Sequence, residues 1–246
     1  MNLKKLLIIF LVILSGVFYY YLTLPYANTT GNIIKQNTDV LRIIDGDTVD
    51  TGLGKVRLLG VNTPEKGMPF HDEAEEFLRD LIQNKTIELQ LIEGNEKDKY
   101  NRTLAYIFSN DKEKTFANRE IIKSGFANFY SYEEDAYTRE LKDTEQAAIK
   151  EQKGIWQKSS KTDCIKFLDL KYEESTRCTN DEKLALQNTC NENINVIIKD
   201  NANHIYREQL KAESEWTKEF SCVWNDEGDR LFVWDSDGRL ILFHSY

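Results

Sequence analysis

The chain has 246 residues, 41% hydrophobic and 11% aromatic, enough to build packed cores and too apolar for a disordered polymer. Its formal net charge is -9, and the acidic excess runs through both the 40–156 and 157–246 stretches. A protein that stores or coats nucleic acid by counterion release needs a basic surface, so that class is excluded; an enzyme needs only a local positive site, which a bound cation can help supply.

Lys4 and Lys5 precede an uncharged, apolar run from Leu6 to Leu24 that carries three tyrosines, Tyr19 to Tyr21, near its end. As a helix the run spans about 28 Å, close to the hydrocarbon thickness of a bilayer. The flanking lysines set its start on the cytoplasmic side, and the tyrosines suit the far interface. We expect residues 1–25 to be a transmembrane anchor, giving a single-pass membrane protein with the bulk of the chain extracellular. A cleaved signal peptide, giving a secreted protein, is the alternative. Residues 26–38 are polar, with Asn, Thr and Gly, and read as a linker.

From there the pattern turns to strands and then helices. Val40–Ile44 and Lys55–Val61 read as strands, with turn residues Asp50, Gly52 and Gly54 between them. Over 69–83 Phe70, Ala74, Phe77, Leu78, Leu81 and Ile82 recur on one helical face. Thr86–Ile92 and Thr103–Ser109 alternate like half-buried strands. Phe116–Ser124, ending before Gly125, and Tyr137–Lys153, closed by Gly154, read as helices. About five strands and three helices in this stretch predict a small closed barrel with packed helices, an OB-fold.

Several polar residues in this region do not serve packing. Asp45-Gly46-Asp47 sets two carboxylates on a tight turn after an apolar strand, oxygen ligands of the kind hard cations take, although an isolated Asp-Gly-Asp is also an ordinary solvated turn. Arg57 alternates with apolar residues and is costly to bury without an anionic partner. Gly60-Val-Asn62-Thr63-Pro64-Glu65 breaks the strand, and Asp98-Lys99-Tyr100-Asn101-Arg102 supplies a second arginine before the next one.

In this order the segments Ile44-Asp45-Gly-Asp47-Thr-Val, Val56-Arg57-Leu-Leu-Gly, Val61-Asn62-Thr-Pro-Glu65 and Asp98-Lys-Tyr-Asn-Arg102, continued by Leu104-Ala-Tyr-Ile, Ile122-Lys-Ser-Gly-Phe-Ala and Gly154-Ile-Trp156, resemble the staphylococcal nuclease family over about 40–157. The resemblance implies an OB-fold and Ca²⁺-assisted hydrolysis of phosphodiester bonds in DNA and RNA. It implies Asp47, Asn62 and the Thr63 carbonyl as Ca²⁺ ligands, with Asp45 supporting them. Glu65 would orient or deprotonate the attacking water, and Arg57 and Arg102 would clamp the phosphate. Lys99 and Tyr100 are candidates to contact the substrate, with a plain surface role as the alternative. Tyr130 and Tyr132 fall near a substrate-contacting tyrosine of the family. Asn62 stands where the family often has aspartate, which lowers the ligand charge and with it the expected Ca²⁺ affinity. Asn101 replaces a glycine usual in the family and is expected to keep the turn, since Asn tolerates positive φ.

The last third holds all four cysteines, Cys164, Cys178, Cys190 and Cys222, without a Cys-x-x-Cys pair, which argues against zinc. Four free thiols are one reading; two disulfides fit an oxidising compartment, and of three possible pairings we expect Cys178–Cys190 with Cys164–Cys222. Short strands are predicted at Cys164–Leu170, Leu184–Gln187, Ile194–Lys199, His204–Arg207, Leu231–Trp234 and Leu240–Phe243, the last two flanking a hairpin turn at Asp235–Gly238. They make a β-sandwich. Leu184-Ala-Leu-Gln-Asn188 and the segment from Val223 to Leu240 resemble the lamin-tail domain, an immunoglobulin-like module, although the Gly-Trp pair usual in its third strand is absent at Val196-Ile197. The resemblance implies an accessory binding or spacing role with an unknown ligand. Asp226, Asp229, Asp235 and Asp237 could suggest a Ca²⁺ site but read as solvated turns, and His204 and His244 read as packing or surface residues rather than metal ligands or catalytic groups.

The expected class is therefore α+β: an N-terminal transmembrane helix, an OB-fold nuclease domain over 39–158 and an immunoglobulin-like sandwich over 162–246. The expected activity is that of an exported Ca²⁺-dependent endonuclease. A non-catalytic module binding nucleic acid or the cell envelope, and an envelope scaffold, are the alternatives.

Overall fold

The computed structural model describes residues 32–131, 133–172, 182–225 and 228–246. The Leu6–Leu24 run, Tyr132, Cys178 and Asp226 lie outside the described residues. Among the described residues no helix is long and apolar enough to cross a membrane.

The barrel is built from β1 (Ile33–Asp45), β2 (Thr48–Thr51), β3 (Gly54–Leu58), β5 (Thr86–Ile92) and β6 (Thr103–Ser109), closed in the order β1-β2-β3-β6-β5. The parallel pairing of β3 with β6 closes the ring, and the other neighbours are antiparallel. With three helices, α1 (His71–Ile82), α2 (Ala117–Lys123) and α3 (Thr138–Lys150), this is the expected OB-fold. The small strands β4 (Gly60–Asn62) and β7 (Asn128–Tyr130) pair beside it.

Three sequence expectations change here. The described part of the predicted linker is strand from Ile33 on, and Ile33–Asp39 pairs along β5. Residues 33–37 are exposed, so this part is held by backbone hydrogen bonds and carries no burial pattern to read. The predicted strand Lys55–Val61 is two, because the chain bends at Leu59. The Leu59 N–H donates to Ala105 O at 2.9 Å, and its carbonyl accepts from the buried Asn118 amide at 2.8 Å. The stretch predicted as a turn around Asp50 contains β2, whose four residues are too few for a readable alternation.

β1 is 13 residues long and serves two neighbours, β5 through its first half and β2 through its second. Register shifts between Val40 and Arg42 and between Ile43 and Asp45 let it turn the barrel corner. The second shift lies directly before the Asp45–Asp47 turn. Inside the barrel Val49, Val56, Leu58, Ile87, Leu89 and Ile107 pack against Ala74, Leu78 and Ile82 of α1.

The C-terminal part has a four-stranded sheet, ordered β11 (Ile205–Leu210), β10 (Ile194–Lys199), β13 (Arg230–Asp235), β14 (Leu240–Ser245), and a three-stranded sheet, ordered β12 (Ser214–Phe220), β9 (Glu182–Asn188), β8 (Ile165–Lys171). Leu184 and Leu186 of one sheet share a core with Val196, Ile198 and Val233 of the other. β12 was not foreseen: its Trp216 is half-buried between the exposed Glu215 and Thr217, too sparse an apolar signal.

The expected cysteine pairing is corrected. Cys164 bonds Cys190, with Cα atoms 5.1 Å apart. Antiparallel β8 and β9 pair Ile165 with Asn188, which brings Cys164, just before β8, and Cys190, two residues past β9, to the same end of the pair. Cys222 is also disulfide-bonded. Asp229, read as solvated, is buried and accepts from the amides of Asn201, Asn225 and Arg230. The 26-residue separation of Cys164 and Cys190 leads us to expect that Cys164→Ser lowers stability by about 2–4 kcal/mol, measured by urea unfolding of the oxidised chain.

The two parts are packed together. Met68, Ile155 and Trp156 of the first meet Ile197, Phe232 and Trp234 of the second in a third apolar core. Trp234 Nε1 donates to Ile155 O at 2.8 Å, and Arg230 Nη1 pairs with the fully buried Glu145 at 2.6 Å. The β13–β14 turn presses onto Pro69: a Cβ on Gly238, whose φ is +78°, would lie 2.3 Å from the Pro69 Cβ.

Candidate active site

The Asp45–Asp47 turn is the nucleus of the site. Asp45 Oδ1 accepts the Asp47 amide at 3.1 Å, the local side-chain bond that favours Asp at such turns. Gly46 is required for space: a Cβ there would stand 2.7 Å from Ala74 Cβ of α1 and 2.9 Å from Thr63 Cγ2. The glycine thus lets the turn sit against both the helix and the segment carrying Thr63.

Asp47 is buried, and both of its oxygens accept hydrogen bonds. Its Oδ1 accepts from the Thr48 hydroxyl at 3.0 Å; its Oδ2 accepts from Thr63 N–H at 3.2 Å and pairs with Arg57 Nη2 at 2.9 Å. Arg57 Nη1 also donates to the carbonyls of Leu58 at 2.9 Å and Val61 at 2.5 Å, and Nη2 faces Asn62 Oδ1 at 3.3 Å. One guanidinium therefore ties β3, the β3–β4 bend and the Asp47 carboxylate together, a fork geometry only arginine provides.

Burial works against the Asp47 charge, but the Arg57 guanidinium and the hydrogen bonds to Asp47 outweigh it and hold the carboxyl below the usual range. Burial, reinforced by the Asp47 charge, pushes Asp45 up to about 6. An acid raised beside an ionised partner is a pair whose repulsion a bound cation relieves.

Asp45 and Asp47 open onto a cleft of about 300 Å³ that is also lined by Thr63, Glu65, Lys66 and His71. Glu65 is half-buried, and among the described residues its carboxylate accepts no hydrogen bond. His71, missed in the sequence reading, is held by a 2.9 Å contact between Nδ1 and Pro64 O. With Asp72 and Glu75 also on the wall, the lining is predominantly acidic, which suits a cation and opposes a bare polyanion.

No group of three or more carboxylate, histidine or cysteine side chains closes around a point among the described residues. A cation here would be held by Asp47 and Asp45 together with the Thr63 carbonyl and water. That hard, incomplete oxygen set fits Ca²⁺, which accepts backbone carbonyls and water among its ligands, and does not fit zinc.

The remaining predicted residues form a second group. Asp98 Oδ1 accepts from the amides of Tyr100 and Arg102, both at 2.9 Å, and Oδ2 pairs with Arg102 Nε at 2.6 Å. Asn101 takes φ 64°, the left-handed conformation expected of it. Lys99 Nζ and the Arg102 guanidinium lie 5.1 and 5.5 Å from the centre of the Tyr100 ring, which is 69% exposed. Lys99, Tyr100 and Arg102 are thus brought together, and the Arg102 Nη groups have no protein acceptor among the described residues.

The two arginines are not in contact and share no partner: Arg57 faces Asp47 and Asn62, and Arg102 faces Asp98 and Tyr100. Their strands are adjacent, with Val56 paired to Thr103, so the Asp98–Arg102 turn lies beside the start of β3.

Asn62 is 2% exposed and its two ends face different partners. Its Oδ1 faces Arg57, and its Nδ2 donates to Asn201 O at 3.0 Å and Ala202 O at 3.1 Å, both in the C-terminal part. Behind Thr63 and Pro64 lies Lys199 of β10, 2% exposed. Burial lowers its ammonium to about 8, partly offset by Asp200, Glu65, Asp229 and Asp47. Nothing local in the sequence marked Lys199 or Asn201, which lie more than a hundred residues from the motifs they meet.

The staphylococcal nuclease homologue family matches residues 55–158. The thermonuclease of Staphylococcus intermedius is 31% identical over 165 residues, covering 60% of this chain and 96% of that protein. The thermonuclease of Staphylococcus hyicus is 32% identical over 136 residues, covering 51% and 78%. The SPbeta prophage-derived endonuclease YokF of Bacillus subtilis is 30% identical over 139 residues, covering 51% and 46%. Barrel, buried Asp47–Arg57 pair and relatives agree: the chain belongs to the staphylococcal nuclease family, with its nuclease domain in the OB-fold part.

Proposed function

We propose that this protein is a Ca²⁺-dependent endonuclease that hydrolyses phosphodiester bonds in DNA or RNA. The observation that carries the reading is the arrangement of Asp47, locked to Arg57, on the same acidic cleft as Thr63 and the unbonded Glu65 carboxylate. Asp47, the Thr63 carbonyl and Asp45 would hold the cation. When bound, it would offset the acidic lining and polarise a phosphoryl oxygen.

Glu65 is free to accept a proton from a water, since no protein donor competes for its oxygens among the described residues. Arg102, held through Nε by Asp98, keeps Nη groups without a protein acceptor among the described residues, available to pair with a phosphate. Tyr100, exposed between Lys99 and Arg102, offers an aromatic face for a base. Arg57 contributes its charge while holding Asp47 in place.

The disulfides and the sequence run Leu6–Leu24 support export, by membrane anchor or secretion, because such bonds persist in oxidising compartments. The competing reading, a non-catalytic binding module, draws on the engagement of Asn62 outside the cleft.

Incubating the purified chain with DNA and with RNA, in Ca²⁺ and in excess chelator, separates the two. Cleavage is expected in Ca²⁺, with a fall of more than about 100-fold in chelator. Equal cleavage in both solutions refutes the cation's role, and no cleavage in either favours the binding module.

A further inference from the structure

The second domain touches the nuclease site through two carboxamides. Asn62 and Asn128 are directly opposed in the β4–β7 pair, and both are buried. Asn62 Nδ2 donates to the carbonyls of Asn201 and Ala202, and Asn128 Nδ2 donates to Asn201 Oδ1 at 2.9 Å. The turn they grip is itself rigid: Asn201 N–H is bonded to Asp229 Oδ1 and His204 N–H to Asp200 Oδ1, each at 2.9 Å. A carboxylate at position 62 could donate nothing and would place an anion against two carbonyl oxygens about 3 Å away.

The gripped turn directly follows Lys199, and Lys199 fills the space behind the cleft wall. Among the described residues its Nζ donates one hydrogen bond, to Asp200 O at 3.1 Å. The cavity beside it, about 20 Å³ and large enough for one water, is lined by Thr63, Pro64 and Asn128 on one side and Ile197 and Trp234 on the other. Thr63 and Pro64 line this cavity and the acidic cleft alike. A single backbone segment thus separates the second domain from the residues assigned to the cation and the water.

We propose that Asn62 and Asn128 are a joint through which the second domain holds the 62–65 segment in position, making Asn62 a positioning residue and the second domain a structural part of the nuclease site. The proposal rests on the nuclease reading for its effect on turnover, but not for the joint itself. The apolar core and the Arg230–Glu145 pair keep the domains attached without it, so the effect of breaking it is local.

The test uses the full chain with Asn62→Asp and, separately, Asn128→Asp, which touches neither Asp47 nor Arg57. Amide hydrogen exchange is followed in peptides spanning 61–66 and 199–204. Both variants are expected to speed exchange in both peptides by about tenfold while β5 and β6 are unchanged. Turnover should fall by about tenfold per folded molecule with KM altered less than about threefold, a split that a general loss of stability does not produce. Should Asn62→Asp fail to fold, Asn128→Asp decides. Wild-type exchange in both peptides of Asn128→Asp overturns the joint, and so does an effect of Asn62→Asp that Asn128→Asp lacks, which would place the role of Asn62 in its contact with Arg57. If the wild-type chain does not cleave, the nuclease reading falls while the exchange result still judges the joint.

Discussion

Arg57→Ala is expected to cost about 3–5 kcal/mol of stability and to abolish measurable cleavage. The stability loss follows from what the guanidinium holds. Its side chain is 13% exposed, it pairs with Asp47 at 2.9 Å, and it donates to the carbonyls of Leu58 and Val61. Removing it leaves a buried carboxylate without its cation and two carbonyls without their donor, the case in which breaking a buried pair is most costly. Urea unfolding measures this loss. Asp47, no longer held, would also lose the orientation on which cation binding depends. Arg57→Lys separates the two effects, because an ammonium keeps the charge but cannot span Asp47 and the carbonyls at once. We expect it to fold with reduced stability and to cleave at least about 100-fold more slowly, the scale on which one lost transition-state donor is felt. Wild-type turnover in folded Arg57→Lys would show that the arrangement of this side chain is dispensable for the chemistry.

Glu65→Gln should behave in the opposite way, with folding intact and turnover lost. The Glu65 carboxylate is half-buried and accepts no hydrogen bond among the described residues, so exchanging it for an amide removes no packing and strands no partner. Stability is expected to stay within about 0.5 kcal/mol. Turnover is expected to fall by about 10²–10⁴-fold, the usual contribution of a positioned proton acceptor, because the amide can still touch a water but cannot take its proton. Calcium-dependent stabilisation against heat should persist in this variant, since Asp47 and the Thr63 carbonyl are untouched. Full activity in Glu65→Gln would remove Glu65 from the chemistry.

Together the two variants divide the site into its parts. On the proposed reading, Arg57 is where architecture and chemistry would depend on the same group, and Glu65 where chemistry would depend on a group the architecture leaves free.

The strands most visible in the sequence were those with one face in a core. Thr86–Ile92 and Thr103–Ser109 were bounded correctly; Ile87, Leu89 and Leu91 are buried as their alternation implied, but in the second strand the alternating Leu104 and Phe108 are only half-buried, while Ala105 and Ile107 between them are fully buried beside Tyr106. The start of β1 was invisible because residues 33–37 are all exposed, and β2 and β7 because they are so short. The Asp45–Asp47 turn, Arg57, Glu65 and the Asp98–Arg102 turn were legible as motifs, since each depends on neighbours within a few residues. The disulfide pairing was not, because a cysteine spacing carries no information about which strand edges meet.

The sequence by itself determined the barrel, its family and the residue types at its site, because local periodicity and short motifs encode them. Only the tertiary structure decided how those residues are used. It committed Arg57 to Asp47 and Arg102 to Asp98, bonded Cys164 to Cys190, and turned the Asn62 amide toward carbonyls 139 and 140 residues away. The physical reason is that a side chain's partners are set by which surfaces pack against each other. Here an apolar core around Trp156 and Trp234 brings a second domain against the wall of the cleft.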